Sequence, residues 1–280
     1  TIKRKLISVQ TPQPQPGFLG AGHTARAVIQ PDYKQSDPFI LLMDDMLDKK
    51  DEVPVGGPHP HAGFETVSLL IEGEMGELKA GGLQIMTAGS GVVHTETIDK
   101  KAKMHLMQLW LNLPKEKRWT RPKLQDLSLE DVPKVAENGL NIKVYSGSFA
   151  GVTSPVSNYV PLILADIQMQ AGVSTLQNIP SSFTTFLYVL EGSLKVGDDD
   201  KIINQNQVGW LDRYTDNALS ELRLTAGDSG VRFLLYSAQP QGDPIVSHGP
   251  FIGDSQEDIA RLYSEYRQGK MNDISFFTKS

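Results

Sequence analysis

Phe64–Met75 reads FETVSLLIEGEM, and Phe183–Leu194 reads FTTFLYVLEGSL. A constant offset of 119 residues carries Phe64 onto Phe183, Thr66 onto Thr185 and the Glu72–Gly73 pair onto Glu191–Gly192. Each stretch is a run of β-branched, aliphatic and aromatic residues closed by a glycine turn, the pattern of a buried strand entering a hairpin. Short apolar runs between turn residues flank both copies. A repeated β unit of this size predicts an all-β chain with two small β-barrels in tandem.

Working outward, TPQPQPG at 11–17 lacks the donors a regular ladder needs and reads as an extended lead-in arm. The charged, proline-marked stretch NLPKEKRWTRPKLQDLSLEDVPKVAENG at 112–139, with one helical turn from Ser128 supported by Asp131, reads as the connection between halves. This places a first barrel at 1–125 and a second at 126–280. Near the C-terminus Ser255 is an N-cap, and Ile259, Leu262, Tyr263 and Tyr266 recur at helical spacing up to Gly269. One amphipathic helix is therefore expected on the outside of a barrel.

The formal charge of −6 argues against direct nucleic-acid binding or attraction to an anionic membrane. No apolar run approaches the ~18 residues of a membrane span, and LISV at 6–9 is too short for a secretory core. Cytoplasmic is the default expectation. The absence of cysteine removes disulfides, thiolate catalysis and cysteine-ligated metals. Any metal must be held by His, Asp, Glu or backbone oxygen.

Six histidines are present, and three fall in two short motifs, HPH at 59–61 and GSGVVHTE at 89–96. Residues i and i+2 of a strand share a face, so His59 pairs with His61, and His94 with Glu96. On adjacent strands of one barrel these become three imidazoles and a carboxylate, a set suited to a divalent transition metal with coordination positions left open. His23 and His248 read as hydrogen-bonded structural residues, and His105, inside MHLMQLWLNL, as core or as support for the site. Glu65, on strand parity from His61, reads either as an acceptor orienting a ligand imidazole or as a plain carboxylate. Advancing His59 and His61 by the repeat offset gives Asn178 and Pro180, and no histidine lies between His105 and His248. The second barrel keeps the strand without the ligands, which favours a functional over a structural metal in the first.

HPHAGFETV, IEGEM, LQIMTAGSGVVHTE, MQLWLNLP and SHGPF, together with SDPFILL, SFTTFLYVLEGSLKVG and GPFIGDSQEDI, resemble the ordered signature blocks of the pirin family over nearly the whole chain. The resemblance implies a bicupin of two jelly-roll-like barrels with a C-terminal helix. It implies a metal, Fe(II) first, with Zn, Mn, Ni, Co or Cu as alternatives, on His59, His61, His94 and Glu96. Ala62 stands where the family has Arg, Gly82 and Ile85 stand where it has other residues, and the segment from Met75 to Leu83 is short. None of these touches a ligand, but all bear on the substrate pocket.

The resemblance implies dioxygenase chemistry of the quercetin 2,3-dioxygenase type, on a flavonol-like enol or aromatic substrate with O2. Glu96 is the expected catalytic residue, taking the hydroxyl proton. Two other classes stay open: a metal- or redox-dependent regulator acting through a protein partner, and a cupin isomerase or sugar-binding protein.

Overall fold

The computed structural model describes residues 1–29, 32–199 and 201–278. Strands make up 53% of it, with one helix longer than four residues among those described. The chain forms two compact units, residues 13–130 with 241–280, and residues 1–12 with 131–240. Among the described residues no helix is long and apolar enough to cross a membrane.

In the first unit a seven-stranded sheet runs in the order Lys123–Leu127, Leu83–Thr87, Phe64–Glu72, Ala102–Asn112, Phe39–Lys49, His23–Ala27, Gln15–Pro16. A separate two-stranded sheet pairs His59–His61 with Val92–His94. Gly63 makes the passage between the two. Its φ of +88° and its approach to Ile252, whose carbonyl oxygen would lie 1.9 Å from a Cβ, leave glycine as the residue that fits. The bend ends strand parity at His61, so the face of Glu65 does not follow from that of the histidines.

The second unit is built on one ten-stranded sheet, with a separate two-stranded ribbon of Ser148–Phe149 and Val152–Thr153. Its strand Leu219–Ala238 pairs through its first half with Ser174–Pro180 and through its second with Leu162–Met169. The interior is filled by aliphatic and aromatic side chains, among them Leu6, Ile167, Leu187, Ile203, Leu224 and Phe233. Ile179 points into that core while Asn178 is exposed, so the counterpart of the histidine strand presents a hydrocarbon inward.

Three sequence expectations change. The arm at 11–17 does enter the sheet: Gln15 and Pro16 pair with Ala25 and Thr24 at its edge. An edge position spares Pro16 the donor it lacks. The stretch 112–139 is not a free connection, because Lys123–Leu127 closes one end of the first sheet and Lys134–Glu137 one end of the second, with a 3₁₀ turn at Leu129–Asp131 between them. Finally, the division at 125/126 differs from the observed one, since each terminus folds with the barrel more distant in sequence.

A fully buried arginine anchors each of these terminal segments. Arg4 donates to the carbonyls of Pro180 and Phe183 and pairs with Asp212. Arg118 donates to Asn112 Oδ1 at 2.7 Å, to the carbonyls of Gly63 and Pro244 and to Asp254. Buried charge is tolerated only with such saturation. The helix Gln256–Arg267 follows, capped by the Ser255 hydroxyl on the Asp258 N–H. It buries Ile259 and Leu262 against Ala62, Phe251 and Met271 of the first unit, contributing ~1.5–3 kcal/mol per buried side chain.

Candidate metal centre

The two-stranded ribbon that carries the histidines has the register His59 to His94, Pro60 to Val93 and His61 to Val92. Pro60 breaks no ladder bond. Val93 directs its N–H to the Asn272 carbonyl at 2.9 Å and accepts from Ile274 N–H at 2.8 Å, both on the ribbon's far edge. Residues 272–274 thus lie beside the strand that bears His94.

The ring centroids of His59 and His94 are 4.3 Å apart, those of His59 and His61 5.0 Å, and those of His61 and His94 5.1 Å. One nitrogen from each ring lies within 4.8 Å of the other two, close enough for a single ion. His59 Nδ1–H donates to the Gly57 carbonyl at 2.9 Å, which leaves Nε2 as its free lone pair. His61 Nδ1 faces the Pro250 carbonyl at 3.4 Å to the same effect. His94 Nε2 is buried and, among the described residues, takes no hydrogen bond. Leaving such a nitrogen unsatisfied costs ~1–3 kcal/mol, and a metal ion satisfies it. The donor set therefore fits a divalent transition metal.

Burial, and then the charge of neighbouring imidazoles, lowers the pKa of His61 to about 4 and that of His94 to about 3. Both rings are thus neutral at pH 7, the form that ligates. Glu96 lies just past the strand, its Oε2 3.8 Å from His59 Nε2. Burial raises its pKa, His59 and the Gln108 hydrogen bond oppose the shift, and Asp45 adds to it. The three imidazoles form the tight group and Glu96 stands at its side.

Gln108 fixes Glu96. Its Oε1 accepts from the Trp110 indole N–H at 3.4 Å, so its Nε2 must face Glu96 Oε1, at 2.9 Å. The second Nε2 proton goes to Ser68 Oγ at 3.2 Å. Oε2 is consequently the oxygen turned toward the histidines. Trp110 meets His61 edge-on at 5.2 Å and stacks on Phe64 at 4.3 Å. These groups open onto a cavity of about 640 Å³ whose wall includes Phe18, Leu41, Met43, Asp45 and Trp110.

The other histidines are accounted for elsewhere. His23 Nε2 pairs with Asp45 at 2.8 Å, His105 Nε2 with Asp44 at 2.6 Å, and His248 Nδ1 with the Tyr263 hydroxyl at 3.0 Å. Glu65 is fully buried and accepts from Thr87 Oγ1 at 3.3 Å. Gln108, Trp110 and Asp45 were not singled out from the sequence, although a lone glutamine within the apolar run LMQLWL was a visible signal.

The Pirin family matches residues 22–111, and the Pirin C-terminal cupin domain matches residues 164–272. Pirin-1 of Arabidopsis thaliana is 32% identical over 271 residues, 90% of this chain and 89% of its own. The crystal structure of a quercetin 2,3-dioxygenase from Acinetobacter baumannii is similar at a TM-score of 0.85 and 26% identity, covering 97% of this chain and 99% of that one. A bacterial pirin from Escherichia coli, crystallised with nickel(II), shares the fold at a TM-score of 0.60 and 15% identity, over 83% of this chain and 98% of that one. With both domains matched in order and a relative aligned over nine-tenths of its length, the chain belongs to the pirin family of bicupins.

Proposed function

We propose that this protein is a metal-dependent dioxygenase of the quercetin 2,3-dioxygenase type, opening a flavonol-like substrate with incorporation of both atoms of O2. The observation that carries the reading is a carboxylate poised beside three clustered imidazoles at the mouth of an aromatic-lined cavity. The likeness to the Acinetobacter baumannii enzyme supports it. We assign the metal to His59, His61, His94 and Glu96, with Fe(II) as the first candidate. Bound there, the ion supplies Lewis acidity and access to dioxygen chemistry.

The chain's own residues do the rest. Glu96 receives the enol proton on Oε2, the oxygen that Gln108 leaves unbonded. Trp110, Leu41 and Met43 offer a flat aromatic an apolar wall and restrict water beside the reacting carbon. No titration of His61 or His94 competes with this transfer at neutral pH.

Aerobic incubation of the Fe(II)-loaded protein with quercetin, followed by loss of the flavonol absorbance, tests the proposal. Consumption is expected to fall by about 10²–10⁴-fold in Glu96→Ala, the usual worth of a general base. Equal consumption by the two proteins, or none by either, overturns it.

A further inference from the structure

Asp45 lies in the cavity wall on the strand Phe39–Lys49, outside the group of three imidazoles. Its Oδ1 meets His23 Nε2 at 2.8 Å. The Leu19 N–H donates to His23 Nδ1 at 3.1 Å, so Nδ1 holds a lone pair and the ring's proton sits on Nε2, donated to Asp45. Both nitrogens are therefore spent, and the ring is buried. Gly17 keeps the space for it, since a Cβ there would lie 2.1 Å from His23 Nδ1. Such an imidazole cannot itself act on a ligand. What it does is aim Asp45 and, through Leu19, tie the arm whose residues 15–18 also line the cavity to that carboxylate.

Asp45 keeps 13% of its side chain exposed. Among the described residues no other side-chain hydrogen bond reaches it, which leaves Oδ2 available. A carboxylate held rigid in a largely apolar wall costs desolvation unless a ligand's donor meets it. On the same arm Phe18 is 80% exposed and stands edge-on to the His23 ring at 5.5 Å, an aromatic surface at the cavity wall with no protein covering it.

We propose that Asp45 is a specificity-determining residue of the cavity, its open oxygen accepting a hydrogen bond from a second phenolic hydroxyl, distinct from the one that Glu96 deprotonates. The pocket thereby selects planar aromatics hydroxylated at two places. This rests on the reading of the cavity as a flavonol-type site, and its test does not use turnover.

Zn(II)-loaded full-length protein is titrated anaerobically, by quenching of tryptophan fluorescence, with quercetin and with 3-hydroxyflavone, which carries the enol hydroxyl alone. A hydrogen bond to a charged acceptor is worth about tenfold or more in affinity, so the wild type is expected to prefer quercetin by about that factor. Asp45→Asn retains the acceptor for His23 but turns an N–H donor toward the cavity. It is expected to lose the preference while binding 3-hydroxyflavone as before and melting at the wild-type temperature. Asp45→Ala, read in the same way, covers the case in which the amide rotates. An unchanged preference in both variants overturns the proposal, as does failure of the wild type to bind either compound. Binding with the expected preference but without quercetin consumption sinks the dioxygenase reading and leaves this one standing.

Discussion

His61 and His94 differ from free histidine in the direction that disfavours protonation, and the sign fixes how the metal-free protein responds to acid. An unfolded chain takes up protons at both positions near pH 6.5, whereas the folded one resists until about 4 and about 3. Between those limits the unfolded state binds more protons, so stability is intact above pH 7 and falls as the pH drops through 6.5 toward 4. The loss assignable to His61 levels off near ~3 kcal/mol. Urea titrations of the apoprotein from pH 7.5 to 4.5 are expected to show this decline, and His94→Gln to show a shallower one. Equal slopes would mean that His94 is not buried in the neutral form. At this scale the three imidazoles were legible because strand alternation is a local rule. Asp45 was not, since its role depends on His23 and Leu19, and MDDML gives no sign of which aspartate faces the cavity.

The antiparallel ribbon of His59–His61 and Val92–His94 has only three residues in each strand, too few to hold three rings rigidly by itself. Its outer edge is completed by residues 272–274, with Met271 packed beside Gly91. Truncation after Lys270 is therefore expected to weaken Co(II) binding by about tenfold, in line with other losses of support behind ligands, and to lower the melting temperature. Equilibrium dialysis with Co(II) checks the first and calorimetry the second. Unaltered affinity would show the ribbon to be self-sufficient. The helix Gln256–Arg267 was readable from Ser255, Ile259 and Leu262, because capping and periodicity are intrinsic to a helix. Its docking against Ala62 was not, because an apolar stripe does not name its partner. The arm at 15–16 and the strand Lys123–Leu127 escaped for a related reason: edge strands tolerate the prolines and charges that read as loop.

For the whole molecule, the tandem of two barrels could be seen in the repeated strand, since both copies must bury the same face. The division of the chain could not, because segment exchange leaves no mark on local pattern. Residues 1–12 supply strands to the second sheet, and 241–280 cover Ala62 and Val93 of the first barrel. Neither contiguous half, 1–125 or 126–280, is thus expected to give a cooperative thermal transition by circular dichroism when expressed alone. A sharp transition in either half would show that the exchanged segments are dispensable.

The same exchange imposes an order on biosynthesis. The strand Leu6–Gln10 is made well before its partner Val208–Leu211, which leaves the ribosome some two hundred residues later. Arg118 must likewise wait for Pro244 and Asp254 before its charge is satisfied. Neither barrel can close before those later segments emerge, so the nascent chain carries two unfinished apolar interiors at once and commits to its native state only after Asp254 has left the ribosome.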